Sequence, residues 1–191
     1  MSLLTVTALL ALALPASAQW SGYLSKSGTG TGTTNSDAIF GASVGKEIRL
    51  VSVRAATDLA AGPILLLSGT EAHTMTVSSA TANLPVGSVG TVAANDVLVI
   101  HTSANTLTTR ICNSVTGTTN IELTAVPGAT LAIGTKIYRM SDVQTILPGT
   151  TNQVAWTGEC LKKSLIRMPL MVRVIGTAAC TLQSAAVRYD P

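Results

Sequence analysis

Any chemistry in this chain would have to come from two histidines, nine carboxylates and three cysteines. His73 follows Glu71 in a turn-like stretch, and His101 ends an apolar run beside Thr102. Nucleophilic catalysis needs a nucleophile, a base and a group that orients the base. Neither histidine lies in a G-x-S-x-G or H-E-x-x-H pattern that would supply them. A strand-end histidine such as His101 is ordinarily a solvated surface group. The acids Asp37, Asp58, Asp96, Asp142, Asp190, Glu47, Glu71, Glu122 and Glu159 are spread singly. Glycoside hydrolysis needs two facing carboxylates, and sugar clefts are generally lined with aromatics. Phe40, Trp20, Trp156, Tyr23, Tyr138 and Tyr189 are the entire aromatic supply. No residue is assigned a catalytic role, and the chain is not expected to be an enzyme.

Metals and cofactors fare no better. Cys112, Cys160 and Cys180 contain no C-x-x-C, and zinc would need four ligands. No D-x-D-x-D-G loop offers calcium a site. Gly28, Gly30 and Gly32 form a G-x-G-x-G without the strand before or the helix after that dinucleotide binding requires. No cofactor or metal is expected. The cysteines read as small buried hydrophobes, with a Cys160–Cys180 bridge open to them in an oxidising compartment.

Composition points towards β-structure and close packing. Hydrophobic residues make up 47% of the 191, aromatics 3% and charged residues 11%, against roughly 25% charged in an ordinary soluble domain. Thr, Val and Ile suit pleated strands, while Gly and Asn supply turns. A weakly charged surface does little to keep copies apart in solution. The net charge is +3, but Lys162-Lys163 is the one adjacent basic pair. Nucleic acid, which demands clustered cations, is not an expected partner.

Residues 1–18 form a hydrophobic, signal-like segment. Ser2 to Ala18 has an apolar run, the helix-breaking Pro15 and small residues before Gln19, but no Lys or Arg precedes the run. It is shorter than the roughly 20 residues that span a bilayer, so a membrane enters only through this segment if it is retained. Residues 19–37 read as an extended, Gly/Thr-rich arm. Trp20, Tyr23 and Leu24 on that arm are candidate assembly contacts with a neighbouring subunit, the alternative being that they fold back on their own domain.

From Asp37 onward, short strands alternate with turns. Lys46 to Arg54 alternates with Ile48, Leu50 and Ser52 on one face, and Ile64 to Leu67 is a short apolar strand. Asp96 to His101, Thr106 to Val115, Asn120 to Thr124 and Lys136 to Met140 follow at hairpin spacing. Met168 to Ile175 and Cys180 to Tyr189 look like a terminal hairpin. The expected fold is all-β: an antiparallel jelly-roll-like sandwich from 38–74 and 144–191, with a small β-barrel or meander from 75–143 inserted.

The block Ala94 to Ile100, Thr108 to Val115, Gly117 to Leu123 and Gly134 to Met140 resembles β-rich virion proteins of tailed phages. These combine an Asp-led strand, a hairpin and a Gly-led closing strand. KEIRLVSVR (46–54) and LQSAAVRYD (182–190) are similar to the first and last strands of jelly-roll head-decoration or fibre proteins. The resemblance implies a non-enzymatic virion decoration or minor capsid protein. It would partner itself, as a trimer by analogy, and a major capsid protein or other surface subunits. The export-like N-terminus keeps a secreted bacterial surface or filament subunit in view, and a carbohydrate-binding β-module is the third reading. Location follows: the virion surface, or the cell surface and exterior.

Overall fold

The computed structural model describes residues 24–31, 35–42, 45–58, 63–101, 106–147, 153–176 and 179–190. Among them every regular element is a strand. The order is β1 (Leu24–Thr31), β2 (Ser36–Phe40), β3 (Glu47–Thr57), β4 (Ile64–Ser68), β5 (Glu71–Thr74), β6 (Asn83–Pro85) and β7 (Val97–His101). There follow β8 (Leu107–Thr116), β9 (Asn120–Leu123), β10 (Lys136–Arg139), β11 (Asp142–Ile146), β12 (Gln153–Lys163), β13 (Leu170–Val174) and β14 (Ala179–Asp190).

Two four-stranded sheets, β1-β14-β3-β12 and β11-β4-β13-β2, form the outer body. Almost every chain connection in this body crosses from one sheet to the other. The exception is β4 to β11, which pair antiparallel in one sheet. This interleaving of two four-stranded sheets is the jelly-roll arrangement. Between the sheets lie Phe40, Ile48, Leu50, Leu66, Val172, Leu182 and Val187.

The β4–β11 connection carries a second unit, the six-stranded sheet β5-β10-β7-β8-β9-β6. Its own core gathers Met75, Leu84, Leu98, Ile100, Ile121 and Ile137. Hydrogen bonds tie the two chain crossings at its neck: Thr70 N–H donates to Arg139 O at 2.9 Å, and the Thr70 and Ser141 hydroxyls lie 2.6 Å apart. Gly69 is needed at this neck, since a Cβ there would stand 2.9 Å from Pro169 Cδ.

A third cluster, Ile39, Leu67, Val99, Tyr138, Met140 and Met171, joins the inserted unit to the outer face of the β4-β13-β2 sheet. That explains the apolar run of β4 and the full burial of β13, whose one polar residue, Arg173, is paired with Asp37. β13 is buried at all its positions, and β4 carries Leu66 into the sandwich and Leu67 into the joint. A strand covered on both faces has no polar alternation to show.

Several expectations need correction. Ile48 and Leu50 do face the core, but Ser52 does not; Val53 and Ala55 take over. The ladders to β14 and β12 both slip near this point, and a bulge reverses which residues face inward. Leu24–Thr31, inside the stretch read as an arm, is strand β1 on β14. Gly and Thr carry little apolar surface, but an edge strand is held by main-chain hydrogen bonds, which need no large side chains. β13 and β14 lie in different sheets, so they are not a hairpin. β5 belongs to the inserted sheet and β11 to the outer one. Residues 1–18, Trp20 and Tyr23 lie outside the described residues.

Candidate functional site

A set of interlocked polar side chains sits where β5 and β10 meet the 86–96 segment. Asp96 accepts from Arg139 Nε at 2.6 Å and from the Ala93 amide at 2.7 Å. Arg139 Nη1 donates to Thr91 Oγ1 at 2.6 Å, and the Thr91 hydroxyl donates in turn to Glu71. The Thr91 amide reaches the other Glu71 oxygen at 3.0 Å. Gly90 makes the close approach feasible: its φ is +55°, and a Cβ there would collide with Glu71 Oε2. Burial of the Glu71 carboxylate works against ionisation. The Thr91 hydroxyl and amide, His73 and Arg139 outweigh it and hold Glu71 below the usual carboxylate range.

His73 is buried beside this chain of contacts. Its Nδ1 lies 2.8 Å from the Ser88 carbonyl, so Nδ1 carries the proton and donates. Its Nε2 is 3.4 Å from Glu71 Oε2. That spacing is an ionic contact when the ring is charged, not a formed hydrogen bond, and Nε2 has no hydrogen-bond partner. A cavity of about 640 Å³ opens next to Glu71, His73 and Gly90. The Ser88 hydroxyl accepts from the Gly90 amide at 3.2 Å, and the Thr91 hydroxyl is held by Glu71. The arrangement therefore latches β5 to the 86–96 segment. His101, at the end of β7, stands opposite Lys136 on β10. Among the described residues, no group of three or more His, Cys, Asp or Glu side chains could hold a metal ion.

None of the three cysteines is joined in a disulfide. Cys160 is exposed on β12, and Cys180 is buried on β14. Strand β3 runs between them. Two strand spacings, about 10 Å, exceed the span a disulfide tolerates, so the Cys160–Cys180 bridge left open by the sequence is not made. Burial pushes the thiols of Cys112 and Cys180 up, which removes both as thiolate nucleophiles at neutral pH.

Of the candidate assembly residues, Leu24 opens β1 with its backbone opposite Val187, while Trp20 and Tyr23 lie outside the described residues. The structure adds surface features that sequence reading missed. β11 is the edge strand of its sheet, with Asp142, Val143, Gln144 and Thr145 all exposed. Leu147, just beyond it, is 64% exposed. Asp142, the only charge on β11, is bound to Lys162 Nζ at 2.7 Å and to the Ser68 hydroxyl at 2.7 Å. On the inserted unit, Ser79 pairs with Leu131, and Met75 N–H donates to Thr135 O. Val77 and Ile133 on this unit are both more than half exposed. The D-V-Q-T-I run gave one usable signal: it is a strand with no Lys, Arg or Pro to guard an edge.

No protein-family model matches the chain, and no curated protein matches its sequence. Among solved structures it is similar to VP17, a capsid protein of bacteriophage P23-77. Identity is 12%, the match covers 88% of this chain and 100% of that one, and the TM-score is 0.24. A superposition of that quality says nothing of this chain's role.

Proposed function

We propose that the chain is a non-enzymatic structural protein that assembles with copies of itself or on a larger particle, and that the particle is a virion. The observation that carries this reading is β11. Monomeric β-proteins guard edge strands with Lys, Pro, bulges or covering loops, because an open edge is a template for pairing with another chain. β11 instead offers Val143, Gln144 and Thr145, and its one acid is already neutralised by Lys162. The exposed Val77 and Ile133 side chains on the inserted unit add apolar surface that a partner would cover.

The specific role is a decoration or minor capsid subunit. Eight-stranded jelly rolls serve capsids, lectins and cupins alike, so the fold does not choose among them. The virion reading leans on the resemblance of 94–140 and the terminal strands to phage virion proteins. Partners follow from it: further copies in a closed ring, a trimer by that analogy, and a major capsid protein beneath. Trp20 and Tyr23 dock on a neighbouring subunit in this scheme. The alternative, a secreted surface or filament subunit, draws on the signal-like 1–18.

Light scattering on the full chain at micromolar concentration tests the assembly, and intact mass of the chain taken from its native particle separates the two settings. Oligomers, together with recovery in a virion fraction with residues 1–18 retained, support the proposal. A chain starting at Gln19 in a cell-surface fraction favours the alternative. A strictly monomeric chain found on no particle overturns both.

A further inference from the structure

A crevice of about 520 Å³ lies between the inserted unit and the 165–168 turn of the outer body. One wall is a face of the inserted sheet. Lys136 stands opposite His101, and Tyr138, two residues along β10, shares that face and stands opposite Ala72. The facing wall is Ile166, Arg167 and Met168. No residue lining the crevice is acidic. Lys136 donates to the neutral Thr74 hydroxyl at 2.6 Å. Among the described residues neither Lys136, His101 nor Arg167 has a carboxylate partner.

The turn that presents Arg167 is firmly anchored. The Ser164 amide donates to Ile48 O at 2.8 Å, the Ser164 hydroxyl accepts from the Ile48 amide at 3.0 Å, and Met168 N–H donates to Leu165 O. Arg167 itself has φ +65°, a left-handed conformation in which glycine would be free of strain. The strained position holds a long cation at the mouth of the crevice, flanked by Leu165 and Ile166, each 55% exposed. Two walls thus converge two permanent cations and an imidazole over an apolar floor, at a junction between units where ligand sites commonly form.

We propose that this crevice binds a protein segment carrying carboxylates beside apolar side chains, contributed by a partner other than a copy of this chain. The cations recognise the carboxylates. Tyr138, Met168 and Ile166 cover the apolar residues between them. The exposed Leu165 and Ile166 extend the apolar surface past the mouth of the crevice, which suits an extended segment better than a compact small molecule.

The test is fluorescence anisotropy on the full chain, using a labelled short peptide of alternating Asp and Leu as probe. The same peptide with Asn for Asp, and a single-stranded oligonucleotide, serve as comparisons. Arg167→Gly relieves the strained φ, so it keeps the fold; Lys136→Met is combined with it, and circular dichroism and Tm are followed in parallel. The Asp/Leu peptide is expected to bind in a salt-dependent manner, the Asn peptide much less, and the double variant about fivefold or more weakly. Sedimentation of the double variant should match that of the parent, which keeps this outcome separate from self-assembly. Equal binding by parent and variant, equal binding of the Asn peptide, tighter binding of the oligonucleotide, or loss of self-association in the variant would each overturn the proposal.

Discussion

The Arg173 guanidinium forks onto the Asp37 carboxylate, with Nε 2.8 Å from Oδ1 and Nη2 2.7 Å from Oδ2. The two residues are register partners on β13 and β2. Thr109, on β8 of the inserted unit, adds a hydrogen bond to Asp37 Oδ2 at 3.1 Å. One largely buried ion pair, with Arg173 at 7% and Asp37 at 16% side-chain exposure, therefore closes the edge of an outer sheet and fastens the inserted unit against it. Removing Asp37 leaves the Arg173 guanidinium, 7% exposed, without its carboxylate. Asp37→Ala should lower the unfolding free energy by about 3–5 kcal/mol, read from urea denaturation. Replacing both members together by apolar residues of similar volume should cost far less.

Acid should loosen the β5 latch. Glu71 ionises more readily in the folded chain than an ordinary Glu. Its contribution is therefore complete above the unfolded value, about pH 4.3, and is lost as pH falls through the lower folded value. Asp142 behaves in the same sense, held down first by the hydrogen bond from Lys162 and then by Ser68. Its side chain is 50% exposed, so solvent screening shrinks its share. Glu71→Gln should flatten the fall in Tm below about pH 4.3 without abolishing it. An unchanged acid profile in that variant would contradict the latch.

Gly90→Ala probes the same contact from the other side. The new Cβ would meet Glu71 Oε2 in a left-handed backbone, and the expected cost is at least about 1 kcal/mol. Gly45 is also left-handed, but a Cβ added there would find nothing within 4 Å. Gly45→Ala should show only the backbone part of that cost.

Thiol labelling distinguishes the three cysteines. Cys160 should react at once in the native protein, whereas Cys112 and Cys180, both buried, should react only on unfolding. Tm should be the same with and without reductant. A reductant-sensitive Tm would restore the Cys160–Cys180 bridge.

Removing residues 1–23 takes away none of the fourteen strands among the described residues. Removing 1–36 also takes β1 from the edge of β14 and the first residue of β2, so Tm should drop. If Trp20 and Tyr23 hold a neighbour, the shorter deletion alone should weaken assembly.

The strand pairs nearest in sequence were the most legible. Val97–His101 and Leu107–Thr116 pair as the hairpin spacing implied, because alternation and turn residues are local signals. The jelly-roll class was legible too, from the number of short strands. What stayed hidden depends on long-range partners. β1 has too few large side chains to announce itself and is recognisable only through β14. An apolar run such as I-L-L-L (64–67) cannot say that it is covered on both faces. The Arg167 crevice joins residues from five separated stretches of chain, at 42, 72, 101, 136–138 and 166–168, and no spacing rule connects them.

Self-assembly through open sheet edges is the central claim, and sedimentation equilibrium of the full chain beside its Val143→Lys variant tests it most directly. Val143 is 48% exposed on an edge strand, so a lysine there is tolerated by the fold and repels a pairing strand. The account predicts a concentration-dependent oligomer for the parent and a shift towards monomer for the variant at equal Tm. A parent that remains monomeric across the micromolar range, or a variant that associates as tightly as the parent, would contradict it.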